Sequence, residues 1–174
     1  MARAAIRPTG TGRTFADDEI IVSKTDLRGH IVYANRVFLR VSGYTEAEVL
    51  GQPHNLIRHP DMPRCVFKLL WETIAAGQEV FAYIVNLAKN GDHYWVLAHV
   101  TPTHGPSGEV VGYHSSRRTA EKRALEHIEP IYAALRAAEA RHQDRKAGLA
   151  AGIDALNGLL RDRDAPYDRF VLSL

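Results

Sequence analysis

The chain has 174 residues, with 22 Lys and Arg against 20 Asp and Glu, a net charge of +2 and nine His. That is enough for one domain with a sizeable core plus extensions, and charge so near balance gives no field that points to nucleic acid. A single cysteine, Cys65, excludes an internal disulfide framework and suits a reducing compartment. No apolar run of about 18 residues is present, and no apolar stretch follows the N-terminal charges, so the expectation is a cytoplasmic protein without membrane insertion.

Residues 1–16 carry Arg3, Arg7, Arg13, Pro8, Gly10 and Gly12 with little apolar content, the composition of a flexible tail. Ile20 to Thr25 and His30 to Ala34 read as strands joined through Asp26-Leu27-Arg28-Gly29, a hairpin. Asn35 ends the second strand, and a short helix with Val37, Phe38 and Val41 follows until Gly43 stops it. Thr45-Glu46-Ala47-Glu48 has the capping-box pattern and starts another short helix.

The stretch Gly51 to Pro63, with two internal prolines and several polar side chains, excludes a long helix or a central strand. Asp61 is a candidate cap for the next helix, Arg64 to Ala75, whose Val66, Phe67, Leu70, Trp71 and Ile74 recur at helical spacing. From Val80 the period changes. Val80 to Ala88, His93 to Thr101 and Glu109 to Arg117 read as strands of a meander. Two amphipathic helices follow, carrying Leu125, Ile128, Tyr132 and Leu135, then Leu149, Ile153, Leu156 and Leu160, with Pro130 as a kink or restart. The layout is α+β, an antiparallel sheet with helices on one face. The domain reading is a tail over 1–16, a core domain over 17–119, a helical segment over 120–162 and a tail over 163–174.

Several blocks then carry a resemblance: Thr25-Asp26-Leu27, Ala34-Asn35, Val41-Ser42-Gly43-Tyr44-Thr45, Gly51-Gln52-Pro53-His54-Asn55, Arg58-His59-Pro60-Asp61-Met62-Pro63 and Lys89-Asn90-Gly91-Asp92-His93-Tyr94-Trp95-Val96. Together they resemble the PAS domain of bacterial aerotaxis receptors over about residues 17 to 119. The resemblance implies a five-stranded PAS fold and a signal-transduction role in energy taxis or chemotaxis. It implies a redox or oxygen sensor holding FAD non-covalently, with flavin-pocket roles for Asn35, Arg58, His59, Asp61 and Asn86. It further implies a chemoreceptor or histidine kinase as partner. The receptors' membrane anchor and kinase-controlling module have no counterpart in this sequence. Arg58 is a forked, permanent cation suited to pyrophosphate, and Asn86 is an amide suited to an isoalloxazine edge.

The sequence departs from that pattern at three places. Val80 stands where the receptors have a pocket tryptophan, Leu87 and Ala88 replace two basic residues, and His114 replaces a common methionine. An inward His114 could ligate haem iron, so haem b is the alternative cofactor and a cofactor-free interaction module is a third reading. A light-driven cysteinyl adduct is excluded, because His54 occupies the position that resembles the reactive cysteine.

Strand parity leaves two registers open for the Val80 hairpin, with either Trp95, Leu97 and His99 or Val96, Ala98 and Val100 opposite the inward residues of Val80 to Asn86. The resemblance favours the second and makes Gly112, His114 and Ser116 inward, giving a lining of small residues, Ala82, Ala98, Gly112 and Ser116, that leaves room for a cofactor. Phe81, Tyr83, Val85, Leu87, Trp95 and Leu97 then face outward. Such an apolar face needs a cover, so the expectation is a homodimer built on this face and the C-terminal helices. No nucleophile–base–acid set or metal-ligand spacing is present, and the chain is not expected to be an enzyme.

Overall fold

Burial alternates along the strand Ile21–Thr25 and most of His93–His104, while Val80–Leu87 is buried on both faces, at seven of its eight positions. The structure, a computed structural model, describes residues 6–174. The strands are β1 (Ile21–Thr25), β2 (Ile31–Ala34), β3 (Val80–Leu87), β4 (His93–His104) and β5 (Val110–Thr119), antiparallel in the order β2-β1-β5-β4-β3. Between β2 and β3 lie α1 (Arg36–Ser42), α2 (Glu46–Val49), a 3₁₀ turn (His54–Ile57) and α3 (Arg64–Ala75). After β5 come α4 (Lys122–Ala140), α5 (Arg145–Asp162) and α6 (Tyr167–Leu172). The α+β class and the two long C-terminal helices are as expected. Pro130 lies inside a continuous α4, and the Thr45/Glu48 capping box forms at the start of α2.

The β3–β4 hairpin takes the second of the two registers. Val80 pairs with Val100, Ala82 with Ala98 and Ile84 with Val96. The last strand does not follow the expected parity. Near the turn His104 pairs with Val110 and Thr103 with Gly112, so Val111 is an extra residue on β5 opposite the Thr103–His104 step, and beyond it Val100 meets Ser115 and Ala98 meets Arg117. Continued without that bulge, the pairing would set Val100 against His114 and turn Gly112, His114 and Ser116 inward. With it, every side chain of β5 changes face, and Tyr113, Ser115 and Arg117 point into the interior while His114 does not.

Both supposed tails are packed. Residues 1–5 of the first lie outside the described residues. The rest runs along the β3–β4 hairpin: the Thr9 amide donates to the Gly91 carbonyl at 2.8 Å and the Arg13 amide to that of His93 at 2.7 Å. Arg13 also pairs with Asp92 at 2.8 Å, and Phe15 is buried. At the other end, Tyr167, Phe170 and Val171 share the i, i+3, i+4 face of α6 and are buried against β3. Six residues are too few for that period to stand out in the sequence.

The outward apolar face finds its cover within the chain. Tyr83, Val85 and Leu87 are buried, the Tyr132 hydroxyl of α4 donates to the Tyr83 carbonyl at 2.6 Å, and the Trp95 ring lies 5.9 Å from that of Tyr132. The free edge of β3 is closed by unlike groups. The Val85 amide donates to the Met62 sulfur at 3.4 Å, and Arg58 forms a bridge with Asn86.

Asp61 does not cap α3. The residue before that helix is Pro63, without a side-chain cap, and the cap comes from α4. The Glu139 carboxylate accepts from the amides of Arg64 (3.2 Å) and Cys65 (2.8 Å) and from Arg64 Nε (3.0 Å). Two glycines of α5 make room for it. A Cβ at Gly148 would sit 2.4 Å from the Glu139 carbonyl oxygen, and one at Gly152 would sit 2.7 Å from Glu139 Cγ.

Candidate functional site

The open end of the inner sheet face, the loop after Gly51 and helix α3 enclose a cavity of about 390 Å³, within the range of small-molecule and cofactor sites. Its two sides differ in chemistry. Helix α3 contributes Phe67, Leu70, Trp71 and Ile74, which its 3,4 spacing puts on one face. The sheet contributes Thr25, Asn86, Ser115 and Arg117. Four buried atoms on these residues, Thr25 Oγ1, Asn86 Nδ2, Ser115 Oγ and Arg117 Nη1, have no hydrogen-bond partner among the described residues. Most buried side-chain polar atoms find a partner in protein or ordered water, so four lining one cavity offer a polar surface that water or a polar ligand can satisfy.

The lining carries five cations, Arg28, Arg58, Arg64, Lys68 and Arg117, and no Asp or Glu. Arg64 and Lys68 have carboxylate partners, Glu139 and Glu72. Arg58 has none within ion-pair distance among the described residues; its guanidinium stacks 4.4 Å from the Phe67 ring centroid. The Asp61 carboxylate lies 3.9 Å from Arg136 instead, so no salt bridge within the loop holds Arg58, which borders the cavity. A low-dielectric cleft lined by one sign of charge concentrates anions.

Arg117 lies deepest and is 2% exposed. Its Nη2 donates to Ser23 Oγ at 2.7 Å and approaches His54 Nε2 at 2.7 Å, while Ser23 Oγ is 3.0 Å from the same nitrogen. A guanidinium only donates, so Nε2 accepts and the ring proton sits on Nδ1. Burial first, then the Arg117 charge, pushes His54 down to about 3, which keeps the imidazole neutral at physiological pH. Burial lowers Arg117 to about 10, and it remains charged.

Of the six residues expected to hold a cofactor, the structure brings Arg58 and Asn86 into the cavity and leaves four outside. Asn35 is spent on the backbone: it caps α1 through Phe38, accepts from the Val22 amide at 3.0 Å and donates to the Ile20 carbonyl at 2.8 Å. His59 and Asp61 turn to the opposite side, toward α4. There His59 Nδ1 accepts from the Asp61 amide at 3.1 Å, and Arg136 donates to the Asp61 carbonyl at 2.6 Å. His114 faces away because of the bulge, which removes the proposed haem ligand. The expected small lining is also replaced: Ala82, Ala98, Gly112 and Ser116 do not border the cavity, and Ile84, Val100, Tyr113 and Ser115 do. Sequence reasoning missed Thr25, His54, Ser115 and Arg117. Arg117 stands in a polar run, His114 to Thr119, and only the right parity separates its inward residues from its outward ones.

A profile described as "PAS fold" matches residues 31–117. The chain is 45% identical to the aerotaxis receptor of Escherichia coli K12 over 122 residues, 70% of this chain and 24% of that protein. It is 32% identical to the nitrogen fixation regulatory protein of Klebsiella pneumoniae over 67% of this chain and 25% of that one. It thus spans about a quarter of the length of these relatives. Among solved structures it resembles an RNA-binding light-oxygen-voltage receptor (TM-score 0.58, 25% identity, 68% of this chain and 35% of that one). It also resembles the dark form of the Aureochrome1 LOV photoreceptor (TM-score 0.55, 25% identity, 61% and 79%). Five antiparallel strands, short helices closing a cavity on one face, and these matches together establish that the chain belongs to the PAS family.

Proposed function

We propose that the cavity binds a flavin, FAD, and that the chain is a sensor of redox state or oxygen rather than an enzyme. One observation carries this: a single cavity opposes four unpaired buried polar atoms to an apolar helix face and lacks any carboxylate. An isoalloxazine is flat and apolar over its faces and polar along one edge, and the rest of FAD is anionic. Asn86, Thr25 and Ser115 are the groups for the polar edge, Phe67, Leu70 and Ile74 for the faces, and Arg58 and Arg28 for the phosphates. When bound, the isoalloxazine supplies reversible electron transfer.

Similarity to the aerotaxis receptor supports the sensory role, and no observation favours haem or a cofactor-free module. The Ser23–His54 pair has the spacing of a nucleophile and its base, but Arg117 shares the same nitrogen and no carboxylate lines the cavity to orient the ring. Blue-light-activated histidine kinases are among the relatives, yet Cys65 does not border the cavity and burial raises its thiol to about 12. A cysteinyl adduct is therefore not proposed. Helix α3 lines the cavity and is capped by Glu139 of α4, so we place the output on the C-terminal helices, acting on a chemoreceptor or a histidine kinase. The apolar face on which the homodimer expectation rests has a cover in cis, so homodimerisation is supported only by similarity to structures such as the light-state dimer of the fungal photoreceptor Vivid. A cytoplasmic location is proposed on the lone cysteine; no helix of the described residues is long and apolar enough to cross a membrane.

The absorption spectrum of the purified protein tests this reading. The expected result is an oxidised-flavin spectrum, as isolated or after incubation with FAD, and release of intact FAD on denaturation. A Soret band, or a protein that stays colourless with added FAD, would overturn it.

A further inference from the structure

Arg117 is a buried charge without a counter-charge. Its Cζ lies 5.8 Å from the Phe38 ring centroid, and its named polar neighbours, Ser23 and His54, are both uncharged. Tyr94, another buried polar side chain of the inner face, has a hydroxyl without a partner, and burial pushes its pKa well up, far from ionising. Among the described residues no carboxylate forms an ion pair with Arg117 or borders the cavity it faces. Its Nη1 is unpartnered. A guanidinium taken out of water needs compensation by charge as well as by hydrogen bonds, and Arg117 borders a cavity from which an anion can supply it.

We infer that Arg117, its Nη2 engaged by His54 Nε2, is an anion-receiving group of the cavity, one that favours the reduced, negatively charged state of the bound flavin over the oxidised state. This rests on the flavin reading above and adds a preference between redox states. The rim cations Arg28 and Arg58 are the surface-side partners for phosphate, which leaves the buried cation for the ring. Reduction brings two electrons from an external reductant, such as dithionite, and one proton from solvent onto the isoalloxazine. The ring gains one negative charge, and the Arg117 fork meets it without moving a proton of its own. His54 fixes the direction of that fork, because its Nε2 engages Nη2 and leaves Nη1 without a partner on a residue that borders the cavity.

The experiment is a reductive titration of the FAD-loaded protein against a reference dye, for the native chain and for Arg117→Met and Arg117→Lys. The native potential is expected to fall with pH by the half-slope of one proton per two electrons. Arg117→Met should still bind oxidised FAD but lose about a hundredfold in relative affinity for the reduced form, a downward shift of about 59 mV for a two-electron couple. Arg117→Lys, which keeps the charge and loses the fork, should recover most of that shift. Should Arg117→Met fail to fold, the native pH slope and the Lys variant decide. A native slope of two protons per two electrons, or a potential unmoved in Arg117→Met, would overturn this inference and leave the flavin reading standing. A native protein that takes up no flavin would overturn both.

Discussion

Lowering the pH from 7 to 5 is expected to destabilise the ligand-free protein by about 2 kcal/mol through His54 alone. The folded state holds this ring near 3, by burial and by the Arg117 charge, against 6.5 for a free imidazole. Above 6.5 both states carry a neutral ring and the group is silent. Between 6.5 and 3 the unfolded chain takes up a proton that the folded chain refuses, so stability falls with pH by about 1.4 kcal/mol per unit. Below 3 both are protonated and the loss levels off. Burial also lowers His59 and His114, and they add to the slope in the same direction. Urea unfolding at pH 7 and 5 should show this loss in the native protein and a much smaller one in His54→Gln, which keeps an acceptor for Arg117 but cannot titrate. Equal losses in the two proteins would show that His54 is protonated in the fold.

Replacing Glu139 by Ala should remove about 2 to 3 kcal/mol of stability. The carboxylate is 6% exposed and satisfies two amides that open α3 as well as Arg64. The figure lies below the range for a fully buried pair because the Arg64 side chain is 27% exposed. Burial alone would raise the Glu139 pKa, yet the hydrogen bonds from Cys65 and Arg64 outweigh it and hold it below the usual carboxylate value of 4.5. Its contribution is therefore present above that value and is lost as pH falls through the folded pKa. Denaturant unfolding measures the loss, and limited proteolysis should show α4 to α6 becoming cleavable before the sheet. A loss under about 0.5 kcal/mol, the scale of a surface pair, would mean that the carboxylate does not hold α3 to the C-terminal helices.

The positions of the five strands, the capping box and the two long helices were readable because period-2 and period-3.6 patterns and turn residues are local signals. The face of β5 was not. It depends on one extra residue, Val111, opposite the Thr103–His104 step, and the Pro102–Gly108 composition marks the turn without marking the bulge. That single slip exchanged His114 for Arg117 at the cavity and so replaced a haem ligand with an anion receiver. Asn35 illustrates the opposite difficulty: an Asn between a strand and a helix has a strong local use as a cap, and that use consumed it. Gly148 and Gly152, which weaken a helix by propensity, make sense only once Glu139 lies beneath them, a contact across chain separations that no local pattern encodes. Arg58 was legible because it lies in a block that carries the family resemblance, and Asn86 because the resemblance implies a pocket role for it.

The central claim, that a flavin sits against the sheet at Asn86, is tested most directly by titrating FAD into the native apoprotein and into Asn86→Leu, followed by flavin absorbance. Leucine is close in volume, and removing an unpaired buried amide leaves ligand-free stability unchanged or raised. The account predicts saturable binding by the native protein and at least a tenfold weaker Kd in the variant, about 1.4 kcal/mol, with the fold intact by circular dichroism. Equal Kd values in the two proteins would place the ligand elsewhere and contradict it.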